Sequence, residues 1–381
     1  MLEYRTTGES HGPAIVTAIT GFPAGVRINE KAVNAELRRR RQCAGRGPRM
    51  SLEDDRIEIL KGVRNGLSTG APIAIAVKNK KNILLPPLTR VRPGHIDLAA
   101  AMKFLTLNGR TGAERASARE TVGRVVAGSV AKSLLNLFGI KVIGYTTQIG
   151  NVPINKRPKL TPLPERVDRF YTFDKKVVFT YWEPLLEEME RIGNTVGGRF
   201  EVVGLNIPVG LGDHNHWAER FDARLSQAIM AIPAVKAVEI GLGFGYSDKP
   251  GSLVMDLFAL KNGRPVLNRY GGWKRQTNYA GGIEGGLTNG ENIIVNAVVK
   301  PIPTLRNPLP TIDIITKRPC RAQVESSDIC AVPAASVIGE AVVAFEIARA
   351  FISRFPGKTL AEISRQFRTY QKELRKMFKS P

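Results

Sequence analysis

The stretch VGRVVAGSVAKSLLNL, residues 122–137, decides how this chain folds. Val122, Val125, Val126, Ser129, Val130, Ser133, Leu134 and Leu137 recur at three- and four-residue spacing over more than four turns, and Gly139 follows, which predicts an α-helix with a glycine stop. Its other faces carry Gly123, Ala127, Gly128 and Ala131, small residues that let neighbouring backbones approach. The helix is therefore placed in the centre of the core. Ser117-Ala118-Arg119-Glu120 just before it has the Ser-x-x-Glu pattern of a capping box.

Outward from this helix, Asn29 to Arg41 reads as a short helix with an Asn cap, Val33 and Leu37 four apart, and arginines in the last turn. Further helices are predicted from Asp97 over Leu98–Leu105, with Asp97 as its cap, and at Pro184–Arg191, Arg220–Ile232, Ala334–Phe355 and Leu360–Phe378. Strand-like runs fall at Ile73–Val77, Phe200–Ile207, Val235–Ile240, Leu253–Leu260 and Ile293–Val299. The two kinds mix without regular alternation, which favours an α+β fold with antiparallel sheets over a doubly wound parallel sheet. No Ser/Gly-rich or Pro-rich linker interrupts the chain, so residues 1–381 read as a single domain. Glycines crowd the gaps at Gly8–Gly12, Gly109–Gly112, Gly241–Gly245 and Gly281–Gly290, where tight turns or close approach to a ligand would both use them.

Composition narrows the function classes. The 381 residues are 43% hydrophobic and 24% charged, as in an ordinary globular protein. Glu3, Arg5 and Glu9 occupy the place of a signal peptide's apolar run, and the apolar segments Ala71–Val77 and Ile329–Gly339 are too short to span a bilayer. Three cysteines, Cys43, Cys320 and Cys330, without a Cys-x-x-Cys pair argue against a disulfide framework and against a zinc site. A reducing, cytoplasmic setting is expected. Lys and Arg number 56 against 34 Asp and Glu, a net charge of +22 that implies an anionic partner: nucleic acid, acidic lipid or a polyanionic small molecule. Arg38–Arg41 with Arg46 and Arg49 form one basic cluster and the stretch after Arg365 another, although the helix dipole alone accounts for arginines at the end of the Asn29–Arg41 helix. Aromatic residues are only 7% and form no stacking platform, which weighs against an RNA-associated protein.

There is no G-x-G-x-x-G after a strand, no Walker P-loop and no nucleophile elbow, which disfavours a Rossmann enzyme and a P-loop NTPase. Of four histidines, His11 lies between glycines in Gly8-Glu9-Ser10-His11-Gly12, and His95 follows the turn in Arg92-Pro93-Gly94-His95. Either suits proton transfer, and either could equally be a hydrogen-bonded turn histidine. His214-Asn215-His216 looks like half of a metal site but has no partners to complete one, so a polar loop and no bound metal are expected. Arg115 and Ser117 sit where a helix begins, a natural anion site as well as a cap, and Asp328 could be no more than a turn or capping carboxylate ahead of the Pro333 helix. The residues themselves lead to an anion pocket with two candidate acid–base histidines and one carboxylate, and to no named reaction.

The order of these motifs resembles the chorismate synthase family. The matching stretches are Arg5–Gly12, Leu37–Arg40 with Gly45–Gly47, Arg92–His95, Glu114–Thr121, Gln227–Val235, Asn278–Gly290, Lys300–Thr304 and Asp328–Ala335. The resemblance implies a β-α-β sandwich with central helices between antiparallel sheets, assembled as a homotetramer. It implies a lyase that converts 5-enolpyruvylshikimate 3-phosphate to chorismate and phosphate by a 1,4-elimination dependent on reduced FMN. His95 would protonate the leaving phosphate, His11 would stand beside the flavin, and Asp328 would assist flavin N5. Arg40, Arg46 and Ser10 would bind substrate. Arg115, Ala116, Ser117, Gln227, Ala228, Gly285, Lys300, Pro301, Ile302, Pro303 and Thr304 would contact FMN. Ser326 stands where the family commonly has an arginine that contacts the flavin, so either a basic neighbour such as Arg321 would substitute for it or cofactor affinity would be lower. No large insertion of the kind found in the bifunctional fungal enzymes, which use NADPH (NADP) to reduce their own flavin, is visible, so an external flavin reductase or another NADPH-derived reductant is implied. The competing readings are a basic RNA-associated protein and a flavin oxidoreductase.

Overall fold

The computed structural model describes residues 1–47, 53–80, 85–160 and 169–378. Arg49 of the first basic cluster and the last residues of the second lie outside these ranges. A four-stranded antiparallel sheet in the order β1-β2-β4-β3 is built from β1 (Glu3–Thr7), β2 (Ala14–Thr20), β3 (Ile57–Lys61) and β4 (Ile73–Lys78). Strand β2 shows why: Ile15, Thr17 and Ile19 are buried on one face while the residues between them are more exposed, the period-two alternation of a sheet with one face on the core. The second sheet, also antiparallel, runs β8 (Val235–Ile240), β9 (Ile293–Val299), β7 (Gly198–Leu205), β5 (Lys141–Ile149), β6 (Val152–Pro153).

Between the sheets lie α1 (Glu30–Arg41), α4 (Thr121–Leu135) and α7 (Val332–Arg354). Every residue of α7 from Val332 to Ala348 is buried, and α4 is buried except at Arg124, Lys132 and Ser133. Helices apolar all round are core helices, so the sandwich follows from the sequence of these two. Its thickness follows from small residues. A Cβ on Gly128 would lie 2.5 Å from Ala341 Cα, one on Gly123 2.5 Å from Thr6 Cγ2, and one on Gly339 2.5 Å from the Phe200 ring. Helix thus meets helix at Gly128, the first sheet at Gly123 and the second at Gly339. Further helices among the described residues include α2 (Asp97–Lys103), α3 (Arg110–Arg115), α5 (Glu183–Arg191), which continues a helical segment begun at Lys175, α6 (Phe221–Met230) and α8 (Leu360–Phe378). Helix α8 packs Ile363 and Phe367 on the core.

The predicted α+β sandwich is the observed fold, with several local corrections. Leu253–Leu260 is not one continuous strand: Gly251–Leu253 forms a 3-10 turn and Asp256 accepts backbone N–H groups of Tyr279 and Ala280, so pairing is confined to the end of the segment, where Phe258 bridges Arg275 and Leu260 pairs with Pro265. Asp97 does not cap α2, which ends at Lys103; its carboxylate turns back to Arg92 and His95. Ser117 accepts from Arg119 N and caps a 3-10 turn, Ala118–Glu120, while Glu120 bonds Thr6 and Arg124 and does not return to Ser117. The helix after Asp328 has Ala331 at its cap without a side-chain bond.

Gly128→Ala should lower stability by about 1–3 kcal/mol through overpacking, although Ala is the better helix former. A melting temperature equal to or above the parent's would contradict the close approach of α4 and α7.

Candidate active site

One cavity of about 440 Å³ opens where the N-terminal ends of α4 and α7 come together. Ala118 and Arg119 from the 3-10 turn before α4, Thr121 at its start, Ala331 at the cap of α7 with Ala334, Ala335 and Ile338 within it, and Arg40 from the end of α1 line it. Ser10 and His11 come from the β1–β2 turn, His95 from the loop before α2, Glu114 from α3, and Lys300, Ile302, Pro303 and Thr304 from the segment after β9. Ile232, Pro233 and Ala234 close an apolar side. Ala234 holds a left-handed φ of 71°, a conformation that costs an L-residue roughly 1–2 kcal/mol, and its carbonyl accepts Lys300 N at 2.9 Å.

The floor is a network of buried charges. Arg40, 1% exposed, donates from Nε to Thr121 Oγ1 at 2.9 Å, from Nη2 to Ala118 O at 2.9 Å, and from Nη1 to Asp55 at 3.4 Å. Arg119 donates to Asp55 at 2.5 Å and to Asn79 at 2.7 Å. Arg46 pairs with Asp328 at 2.5 Å, and the Gly47 N–H donates to the same carboxylate at 2.8 Å. Asp55 is shared between two arginines. Burial first, and then the Arg46 and Arg119 charges, lower Arg40 to about 10 in spite of Asp55. The Arg40 guanidinium is still positive at neutral pH, and an anion beside it would favour that charge. Arg46 shifts the other way, because Asp328 outweighs the burial that works against its charge.

Each cavity histidine meets a carboxylate through Nδ1. His11 Nδ1 lies 2.8 Å from both oxygens of Glu114. His95 Nδ1 lies 2.5 Å from Asp97, which is fully buried and also accepts Arg92 N, Nε and Nη2 at 3.1, 2.7 and 2.8 Å. Arg92 Nη1 donates onward to Thr304 Oγ1 at 2.9 Å, and Lys300 Nζ to Gly94 O at 2.6 Å, so the His95 turn is tied to the segment after β9. Burial alone would raise the Asp97 carboxyl, but the bonds from Arg92 and His95 with their charges hold it well below the usual carboxylate range. Ser10 and Ser117 hydroxyls meet at 3.0 Å.

Of the residues singled out in the sequence, Ser10, His11, Arg40, Arg46, His95, Ala116, Ser117, Lys300, Ile302, Pro303, Thr304, Ser326 and Asp328 share this cavity. Arg115 lies outside it, exposed, 4.0 Å from Glu9 and over the Phe104 ring. Pro301 is exposed beside the lining residues, Gln227 and Ala228 lie on α6, and Gly285 sits in an exposed turn with open space beside it. Arg321 does not replace the missing arginine at Ser326: it is exposed and donates to Pro308 O. His214 and His216 are exposed, and no metal-binding cluster of His, Cys, Asp and Glu occurs among the described residues. Arg119, Glu114 and the pairing of Asp97 went unread. Arg119 was hidden in a capping motif, and no local pattern announces a contact such as His11–Glu114, 103 residues apart.

Because the folded Asp97 value is depressed, its contribution to stability is complete above the unfolded carboxylate range and is lost as pH falls below about 4. Asp97→Asn should cost about 3 kcal/mol at pH 7 and flatten the acid side of the stability curve. Melting temperatures of both proteins between pH 7 and pH 3 measure this; parallel curves would contradict it.

Comparison with known proteins agrees with the geometry. Residues 2–352 match the family model described as chorismate synthase. Chorismate synthases of Geotalea daltonii and Geobacter metallireducens are each 44% identical over 98% of this chain and 100% of their own length, and that of Moorella thermoacetica is 41% identical over 99% of this chain. A crystal structure of chorismate synthase superposes with a TM-score of 0.78 at 34% identity, covering 98% of both chains. With the sandwich, the cavity and these relatives in agreement, the chain belongs to the chorismate synthase family, the chorismate-forming lyases of the shikimate pathway.

Proposed function

We propose that the chain converts 5-enolpyruvylshikimate 3-phosphate to chorismate and phosphate by a 1,4-elimination that requires reduced FMN. The observation that carries this reading is the convergence of buried Arg40 and Arg119 and partly buried Arg46 with His11, His95 and Asp328 in one cavity. Six cationic side chains line it against the carboxylates of Glu114, Glu325 and Asp328. That excess suits a ligand carrying phosphate and carboxylate groups, and guanidinium forks match both.

The residues present also fit a flavin mononucleotide. Ile232, Pro233, Ala234 and Ile338 offer an apolar wall for a planar ring, and the start of α4 with Ser117 offers donors for a phosphate. When bound, the reduced flavin supplies the transient electron density needed for loss of phosphate from a substrate without an acidic hydrogen. Ala116, Ser117, Lys300, Ile302, Pro303 and Thr304 would hold it, with Ser326 at the edge, where the usual arginine is missing. Arg115, at the rim, would reach it only by turning inward.

The chain's own groups divide the remaining work. Arg40 and Arg46 bind and orient the substrate's anionic groups beside the Ser10 hydroxyl. His95, held by Asp97, delivers a proton to the departing phosphate. Asp328 is fixed by Arg46 and Gly47 and presents its carboxylate to the same space. His11 contributes a proton on the flavin side. The full chain acts as one catalytic unit, with reductant from outside, whether a flavin reductase or NADPH. The homotetramer is part of this reading, supported by apolar side chains left exposed at Phe244, Leu253, Met255 and Leu257. A cytoplasmic setting fits the three free cysteines, and no helix of the described residues is long and apolar enough to cross a membrane.

An anaerobic assay with dithionite-reduced FMN and the purified ester tests the reading. Phosphate and chorismate should appear in equal amounts without net consumption of NAD(P)H, and His11→Ala, His95→Ala and Asp328→Asn should each lose roughly 100-fold or more in kcat. Full activity in one variant removes that residue from the mechanism. Stoichiometric NAD(P)H oxidation would favour an oxidoreductase, and salt-sensitive RNA binding without phosphate release would favour the RNA-associated alternative.

A further inference from the structure

We propose that Glu114 is a positioning residue for His11: its carboxylate holds the ring with Nδ1 protonated, leaving Nε2 as the one ring nitrogen free to exchange a proton in the cavity. The inference rests on the reading of His11 as a working group of the site.

The geometry is specific. Both Glu114 oxygens lie 2.8 Å from His11 Nδ1, and Oε2 also accepts the His11 backbone N–H at 3.1 Å. The side chains are 14% and 15% exposed, so water competes weakly for the contact. An ionised carboxylate only accepts hydrogen bonds. Nδ1 must then carry hydrogen whether the ring is neutral or protonated, and Nε2 alone changes state.

His95 makes the contrast. Its Nδ1 lies between Asp97 at 2.5 Å and Arg92 Nη2 at 3.0 Å, so an acceptor and a donor compete for the same nitrogen. Among the described residues, the ring of His11 has only the Glu114 oxygens as hydrogen-bond partners. Electrostatics adds a second reason for the pair. A positive imidazole in a cavity lined by Arg40, Arg46, Arg92, Arg110 and Arg119 would meet repulsion, which an adjoining carboxylate offsets. The turn that carries the ring is also clamped: Asn79 Nδ2 donates to the backbone carbonyls of Glu9 and Gly12, on either side of His11, at 3.1 and 2.7 Å.

Glu114→Gln is the discriminating variant, because it keeps the shape while its amide N–H can donate to Nδ1 and so favours the opposite tautomer. With only four histidines, labelling the full-length protein with ¹⁵N-histidine and assigning His11 by its absence in His11→Gln makes the ring nitrogens readable by NMR. In the parent, Nδ1 of His11 should read as protonated; in Glu114→Gln the proton should move to Nε2. Turnover with reduced FMN and the ester should fall at least roughly tenfold in kcat with little change in KM, and Glu114→Asp, which keeps the carboxylate, should recover part of it. An unchanged His11 spectrum in Glu114→Gln, or unchanged kcat despite a changed tautomer, would overturn the proposal. If the parent releases no phosphate, the proposed reaction fails, while the NMR comparison still decides whether Glu114 sets the tautomer.

Discussion

Two helices that meet backbone to backbone set the form of this molecule. At Gly128 there is no room for a methyl group against Ala341, and α4 and α7 lie together as one apolar layer with a sheet on each side. Because the helices are held at this distance, their N-terminal ends stand side by side, and the cavity lies at those ends. Helix N-termini carry unpaired N–H groups and partial positive charge. A layer built for packing thus already favours an anion at its mouth.

The same layer accommodates charge where a core ordinarily excludes it. Glu340 of α7, 3% exposed, accepts Arg39 of α1 at 2.9 and 3.0 Å, Lys132 of α4, and the Gly144 N–H of β5 at 2.7 Å. Four elements close around one satisfied carboxylate. Buried ion pairs contribute little net stability against apolar substitutes, but losing one partner is costly, so such a group serves to fix relative position. Arg39 is drawn into this network, and the next residue, Arg40, turns about 100° around α1 toward the cavity. There it shares the Asp55 carboxylate with Arg119.

Both histidines depend on carboxylates that come from nearby in space. Asp97 is two residues from His95 but is oriented by Arg92 and buried beneath it. Glu114 reaches His11 from α3 across 103 residues of chain. The two cavity histidines thus sit on turns, with rigidity supplied by side chains anchored in helices and by the backbone bonds that clamp each turn.

What the sequence determined alone is whatever depends on near neighbours along the chain. The periodicity of 122–137 specified the central helix, which ends at Leu135, the expected helix Ala334–Phe355 is observed at Val332–Arg354, and Leu360–Phe378, Val235–Ile240 and Ile293–Val299 were legible to the residue. Strands β1, β2, β3 and β5 were not, since segments such as Glu3-Tyr4-Arg5-Thr6-Thr7 carry too few apolar residues to show a period, and of the expected strand Leu253–Leu260 only the end pairs. The motif residues His11, His95, Arg40, Arg46 and Asp328 could be named from the chain. Only the tertiary structure decided that they face one cavity, that Glu114 and Arg119 line it with them while Asp97 stands behind His95, and that Gln227 and Gly285 are not among its lining residues. Hydrogen bonds and ion pairs act over a few ångströms in space, and separation along the chain carries no record of that distance once the chain has folded.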